Sequence, residues 1–299
     1  MISYGKYKDR DAVIISTDSL RATFLPCDGG KLASLIRVSD SSELMVTKPG
    51  DEYKVLEYCG SYVKSECSGF DDMFPTVDPY TPDKGAGKGI TYPDHGETCR
   101  IPFEISEADG KVTLTSRSAV FPIKYYKTIY PETDGSITAE YRFVNESNEE
   151  FPFLWAGHIM LAGSDGMRVL TPFSGDTPTE DMFASKNESG APLPKDRLMG
   201  YEKGVGVSHK FYYLDKIPEG YFGVSYSGGG RLMFRFDKDK LPYLGIWFNN
   251  GQFQDGYSIT PEPCTVPFDA PGRAADRGFT SIIPGRGEFS FTLNIRMEE

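Results

Sequence analysis

The chain has 299 residues, 39% of them hydrophobic and 25% charged, which is ordinary for a globular protein and long enough for one large core. Its net charge of −11 repels phosphate backbones and anionic membrane surfaces, which sets nucleic acid and membranes aside as partners. No stretch approaches the roughly 20 apolar residues of a membrane span, and the opening MISYGKYKDRDAVIIS has no apolar run of signal-peptide length, so the cytoplasm is the expected location.

Short strand-like runs follow one another along the chain. AVIIST (12–17), RATFLP (21–26) and KLASLIRV (31–38) come first, then KVTLTSRS (111–118), YYKTIYP (125–131) and SITAEYRFVN (136–145). FPFLWAGHIML (151–161), GMRVLT (166–171), YFGVSYS (221–227), RLMFRFD (231–237) and YLGIWF (243–248) occupy the second half. FTSIIP (279–284) and EFSFTLNIRM (288–297) close the series. Many alternate apolar and polar residues, the period of strands with one buried face. ADGK (108–111), TDGS (133–136) and SGGGR (227–231) carry the Gly and Asp residues that tolerate positive φ, and are predicted to be hairpin turns. No helical period is sustained and no fixed-period repeat occurs, which argues against a propeller or solenoid.

Two segments break this rhythm: the Pro/Gly-rich 76–94 and the long polar 172–204. Loops of that length are walls or lids of a site, or surface insertions. Strand patterning resumes on both sides of each, so one antiparallel all-β domain over 1–299 is the simplest organisation. The five cysteines, Cys27, Cys59, Cys67, Cys99 and Cys264, are odd in number and lack CxxC spacing. They read as reduced thiols, with neither a disulfide framework nor a zinc site.

Only three histidines are present, and imidazole is the side chain that exchanges protons most readily near neutral pH. His95 ends the 76–94 loop, between Asp94 and a glycine. His158 lies in the most apolar run, among Trp155, Ile159, Met160 and Leu161, as a core residue or one side of a pocket. His209, beside a lysine and without a partner nearby in sequence, reads as structural. Glu262 is held between two prolines in TPEP, which restrict the backbone and aim the carboxylate, as a placed base requires. An exposed glutamate in a turn is the alternative. Trp247, near Asn249, Asn250 and Gln252, suits a sugar's C–H face and hydroxyls, or core packing. Asp71 and Asp72 in CSGFDDMFP could grip hydroxyls or cap a turn. The histidines are too widely spaced for a metal motif, and no metal or other cofactor is expected.

In chain order, GFDDMFP (69–75), DHGETCR (94–100), WAGHIML (155–161) and GIWFNNGQF with YSITPEPCTVPFD (245–269) resemble the aldose 1-epimerase, or galactose mutarotase-like, family over roughly residues 20 to 295. The resemblance implies a large antiparallel β-sandwich (the galactose mutarotase-like supersandwich) with a sugar groove, and interconversion of α and β anomers of a hexose or related aldose by cofactor-free ring opening. It assigns Glu262 as general base, His158 as the acid at the ring oxygen, and His95 as a second histidine near that oxygen. Asp72, Arg100 and Trp247 are the candidate substrate contacts. The asparagine–arginine motif of the best-studied galactose mutarotases is missing upstream of His95, which places the chain nearer divergent branches. Arg100 could instead meet a phosphate or pair with Asp94 or Glu97. A hexose-6-phosphate mutarotase and a non-catalytic carbohydrate-binding protein therefore stay open as alternatives.

Overall fold

The computed structural model of the protein describes residues 1–58, 60–184, 200–204, 207–254 and 256–299. Its strands in chain order are β1 (Ile2–Tyr7), β2 (Arg10–Ser16), β3 (Leu20–Leu25), β4 (Lys31–Arg37), β5 (Ser42–Glu43), β6 (Phe70–Met73) and β7 (Glu104–Ala108). Then come β8 (Lys111–Arg117), β9 (Ile123–Pro131), β10 (Ile137–Asn145), β11 (Phe151–Pro152), β12 (Ala156–Ile159), β13 (Leu161–Ala162) and β14 (Arg168–Leu170). The series ends with β15 (Thr179–Ala184), β16 (Val207–Tyr213), β17 (Tyr221–Ser225), β18 (Arg231–Phe236), β19 (Tyr243–Asn250), β20 (Tyr257–Cys264), a short helix α1 (Pro271–Asp276), β21 (Ile282–Ile283) and β22 (Glu288–Glu298).

Antiparallel pairing gathers most of these strands into two large sheets. One runs β1-β2-β3-β4-β6-β12-β20-β19-β16-β15, with β13 on β20 and β5 on β4. The other runs β14-β17-β18-β22-β10-β9-β8-β7. Between them lies an aromatic and aliphatic core that includes Phe24, Phe70, Ile159, Phe211, Ile246 and Ile259 from the first sheet and Tyr141, Phe143, Phe291 and Leu293 from the second. The three predicted hairpins are present. Ala108 pairs with Lys111 around Asp109 (φ 52°) and Gly110 (φ 72°), the positive-φ pair that suits a tight turn between twisted strands.

The FDD segment is strand β6, not a turn. Successive residues of a strand point to opposite faces, so its two carboxylates part company. Asp72 turns inward between the sheets, where Oδ2 lies 2.8 Å from Lys127 Nζ on β9 of the other sheet. Lys127 also donates to Gly30 O and lies over the rings of Phe24, Phe70 and Tyr141. Asp71 turns to the outer face, where Oδ2 accepts from Lys31 Nζ at 2.7 Å. Both ion pairs are almost completely buried.

Glu262 likewise belongs to a strand. β20 is central, and two prolines in a central strand would normally break its ladder. Here they fall where the ladder to β12 and β13 is already interrupted, between Leu161↔Ile259 and Ala156↔Cys264. Of the polar stretch 172–204, residues 179–184 form β15 and 185–199 lie outside the described residues, as does Cys59. Cys27, Cys67, Cys99 and Cys264 are free thiols. Among the described residues no helix is long and apolar enough to cross a membrane.

Candidate active site

On the outer face of the first sheet, the side chains of β6, β12, β20, β19 and β16 form a polar row. Asp71 stands opposite His158, Glu262 opposite Gly245, and Gly245 opposite Tyr212. Gly245 is needed there because a Cβ would lie 2.5 Å from Tyr212 Cε1; without one, the ring lies across the strand and reaches Glu262. Above the row opens a cleft of about 640 Å³, lined by His95, His158, Lys210, Trp247, Asp269 and Arg273 among others.

Glu262 lies beneath the cleft, against the lining side chains of His158 and Lys210, with none of its own surface exposed. Its Oε2 is bonded twice, 2.9 Å from Lys210 Nζ and 3.0 Å from the Tyr212 hydroxyl. Its Oε1 has no hydrogen-bond partner and lies 3.9 Å from His158 Nε2. Burial pushes Glu262 above the ordinary carboxylate range, against the pull of Lys210. Lys210 Nζ bridges from Glu262 to Asp269 Oδ1, at 2.7 Å. Burial alone would lower the lysine, but Asp269 and Glu262 outweigh it and hold the ammonium above its usual range. Burial likewise raises Asp269, and Lys210 more than offsets this, leaving it below the usual range. Tyr212 OH lies 2.8 Å from Asp269 Oδ1 as well as reaching Glu262, so its single proton is shared between two carboxylates.

The histidines reach the cleft by different routes. His158 is carried by β12. His95 is delivered by the 76–94 loop in the left-handed region (φ 59°), followed by Gly96 (φ 76°), whose Cβ would meet Phe74 O at 2.5 Å. A non-glycine residue held at positive φ is strained backbone of the kind that gathers at functional sites. Its Nδ1 lies 2.8 Å from Asp94 Oδ1. Burial raises Asp94, but the bond from His95 and the nearby Arg100 outweigh it and keep this carboxyl low. The ring of Tyr62 stacks on His95 at 4.0 Å, nearly parallel, and meets His158 edge-on. The rings of His95 and His158 are 5.7 Å apart.

Burial, reinforced by the nearby His95, Lys210 and Lys31, pushes His158 well below an ordinary imidazole. The unfolded chain then takes up a proton near pH 6.5 that the folded protein refuses, so this residue leaves stability unaffected above that pH and costs stability as pH falls below it. Thermal melts between about pH 7 and pH 5 should therefore show a smaller loss of Tm in His158→Asn than in the wild type. An equal loss in both proteins would refute the shift.

Trp247 tilts against His158 at 5.8 Å between ring centroids, and its Nε1 donates to Ser208 Oγ. It therefore presents its ring to the cleft. Of the nearby amides, Asn249 lines the cleft while its side chain bonds to the backbone of Phe253, and Asn250 bonds to that of Glu202 and Gly204.

Two expected substrate contacts lie elsewhere. Asp72 is in the inter-sheet core with Lys127, because its strand neighbour Asp71 takes the outer face. Arg100 directs its donors to the carbonyls of Gly96, Glu57, Tyr58, Gly60 and Asp94, stitching 57–60 to the His95 loop. Its hydrogen bonds go to these backbone carbonyls and not to the side chains of Asp94 and Glu97. His209 faces the core side of β16 and does have a partner, Asp181 Oδ1 at 2.8 Å. Sequence reasoning passed over Lys210, Asp269, Tyr212 and Tyr62. The alternation Ser208, Lys210, Tyr212 on an otherwise aromatic strand was the available signal.

The chain matches no protein-family model and no curated protein sequence. Solved structures do resemble it. A candidate aldose 1-epimerase from Klebsiella pneumoniae superposes with a TM-score of 0.73 at 16% identity, over 98% of this chain and 81% of that one. A galactose mutarotase-like protein from Clostridium acetobutylicum gives a TM-score of 0.70 at 14% identity, over 100% and 98%. Another from Lactobacillus casei gives 0.63 at 17% identity, over 96% and 100%. The fold is thus the galactose mutarotase-like β-sandwich.

Proposed function

We propose that the cleft is the active site of an aldose 1-epimerase that interconverts the anomers of an unphosphorylated hexose or related aldose. One observation carries this reading: the orphaned Oε1 of Glu262 faces Nε2 of His158 across 3.9 Å at the base of the cleft. Anomer exchange needs one base and one acid within reach of a single sugar ring. One group takes the proton of the anomeric hydroxyl, whose O–H electrons form the carbonyl. The C1–O5 bond breaks with its electron pair on the ring oxygen, and the other group gives that oxygen a proton. Rotation about C1–C2 and reclosure with roles exchanged yields the other anomer.

The family resemblance makes Glu262 the base and His158 the acid, with His95 as a second imidazole near the ring oxygen. The shifts of Glu262 upward and His158 downward bring their proton affinities toward each other. One proton held by the pair therefore leaves one acid and one base, whichever atom carries it. The same shifts resist having both groups charged in a buried floor.

A binding protein would need no such pair, and convergence of the two groups supports the enzyme over that alternative. A phosphorylated substrate calls for arginines gathered at one end of the groove. Among the described residues the arginine lining the cleft is Arg273, while Arg277 is bonded through both terminal nitrogens to Glu180. That favours a free sugar.

Saturation-transfer NMR of glucose, galactose and their 6-phosphates, with and without the protein, tests the reading. Acceleration for a free hexose supports it. Acceleration for the phosphates alone redirects it to a hexose-phosphate mutarotase, and none for any sugar leaves the binding protein. Trp247→Ala should raise KM about tenfold, the loss of roughly 1.4 kcal/mol of ring contact. Its kcat should change much less, because packing on a sugar face serves ground and transition states alike.

A further inference from the structure

Behind His158, on the side away from Glu262, stands a second chain of polar groups that the reaction as written does not use. Lys31 Nζ lies 2.7 Å from Asp71 Oδ2, and the hydroxyl of Tyr62 lies 2.8 Å from that same oxygen. The hydroxyl is also 3.4 Å from Nδ1 of His158. All four side chains are buried. Tyr62 comes from a single helical turn, Tyr62–Lys64, in the loop before β6. Asp71 is the direct cross-strand partner of His158.

A phenol has one proton to give. Beside Lys31 the Asp71 carboxylate is an acceptor only, and it is both nearer and more strongly accepting than a neutral imidazole. The Tyr62 proton therefore goes to Asp71, and toward His158 the phenol oxygen can only accept. Nδ1 must then carry a hydrogen, and the lone pair of the neutral ring lies on Nε2.

We infer that Tyr62 is a positioning residue: anchored by Asp71 and Lys31, it imposes the Nδ1–H tautomer on His158 and turns the Nε2 lone pair toward Glu262 and the cleft. This deepens the mutarotase reading and rests on it for its kinetic consequence. The neutral ring faces the substrate as an acceptor, and Nε2 becomes a donor to the ring oxygen only after it has gained a proton. A ring in the opposite tautomer would turn a bound hydrogen toward the cleft and could not accept there. The Lys31–Asp71–Tyr62 chain thus does for this imidazole what an orienting carboxylate does in a nucleophilic triad.

Tyr62→Phe removes the hydroxyl while keeping the ring that stacks on His95. Long-range ¹⁵N–¹H correlation spectra at neutral pH, without sugar, read the tautomer directly. With three histidines in the chain, His158 is assigned by its absence in His158→Asn. The wild type should show hydrogen on Nδ1 and a bare Nε2. Tyr62→Phe should shift His158 toward the Nε2–H form and lower kcat about 10–100-fold, the usual penalty for losing the outer partner of a working imidazole. KM should change little.

Hydrogen on Nε2 in the wild type would overturn the inference, and that spectrum needs no variant to fold. An unchanged tautomer in Tyr62→Phe would overturn it too. Should the tautomer respond as expected while no sugar is turned over by the wild type, the mutarotase reading fails and the positioning role of Tyr62 stands.

Discussion

Glu262→Gln is expected to slow enzymatic anomer exchange by about 10²–10⁴-fold, the contribution typical of one placed proton-transfer group. The substitution preserves volume and leaves Lys210 paired with Asp269. What it removes is the carboxylate oxygen that faces His158 without a hydrogen-bond partner. A neutral amide there can neither take the anomeric proton nor hold it for transfer. Saturation-transfer NMR measures the loss, and circular dichroism checks that the fold survives. His209→Asn is the control, because that ring lies on the core side of β16 and its loss should leave turnover intact. Retention of more than about a tenth of wild-type activity by Glu262→Gln would remove Glu262 from the mechanism.

Lys210→Met should be the more damaging change to stability. It strips the cation from between two buried carboxylates and leaves Glu262 and Asp269 with the one proton of Tyr212. Breaking a buried pair in this way costs about 3–5 kcal/mol, because a charge remains where water cannot reach it. In a chain of this length that corresponds to a fall in Tm on the order of 10 °C. The sharper test is the compensated variant. Adding Glu262→Gln and Asp269→Asn to Lys210→Met removes the stranded charges as well, and should recover most of the lost Tm. If the triple variant melts no higher than the single one, the loss is due to packing and not to charge.

The strands were legible where alternation was clean and a glycine marked the turn, as at Asp109–Gly110 between β7 and β8. β16 and β20 were not, for opposite reasons. β20 carries two prolines, which normally argue against a central strand, and their tolerance depends on a break in a ladder contributed by residues a hundred positions earlier. β16 places Ser208, Lys210 and Tyr212 on one face, and a lysine in a strand ordinarily signals solvent. Only the fold shows that its ammonium meets Glu262 and Asp269, more than 50 residues away in the chain.

Within the site, His158, His95, Glu262 and Trp247 could be singled out because each is chemically unusual where it stands. Asp72 and Arg100 looked equally promising, and their partners were invisible: Lys127 lies 55 residues on, and the carbonyls that hold Arg100 carry no side-chain signature at all. Tyr62, one of 18 tyrosines, had nothing to distinguish it until its hydroxyl was found between Asp71 and His158.

The paired aspartates of β6 bear on how the molecule comes apart. Asp71 is tied to Lys31 within its own sheet, Asp72 to Lys127 across the sandwich, and the two residues are adjacent. A half-melted form that kept the first sheet covered while releasing β9 would strand Asp72 in a dry interior, at a penalty of several kcal/mol. A one-residue slip of β6 would send each carboxylate to the opposite face and misplace both. Partial unfolding is therefore disfavoured from either side, and loss of the two layers is expected to be a single cooperative event. The floor of the cleft, set on β6 and its neighbours, should then keep its shape up to the temperature at which the whole sandwich fails.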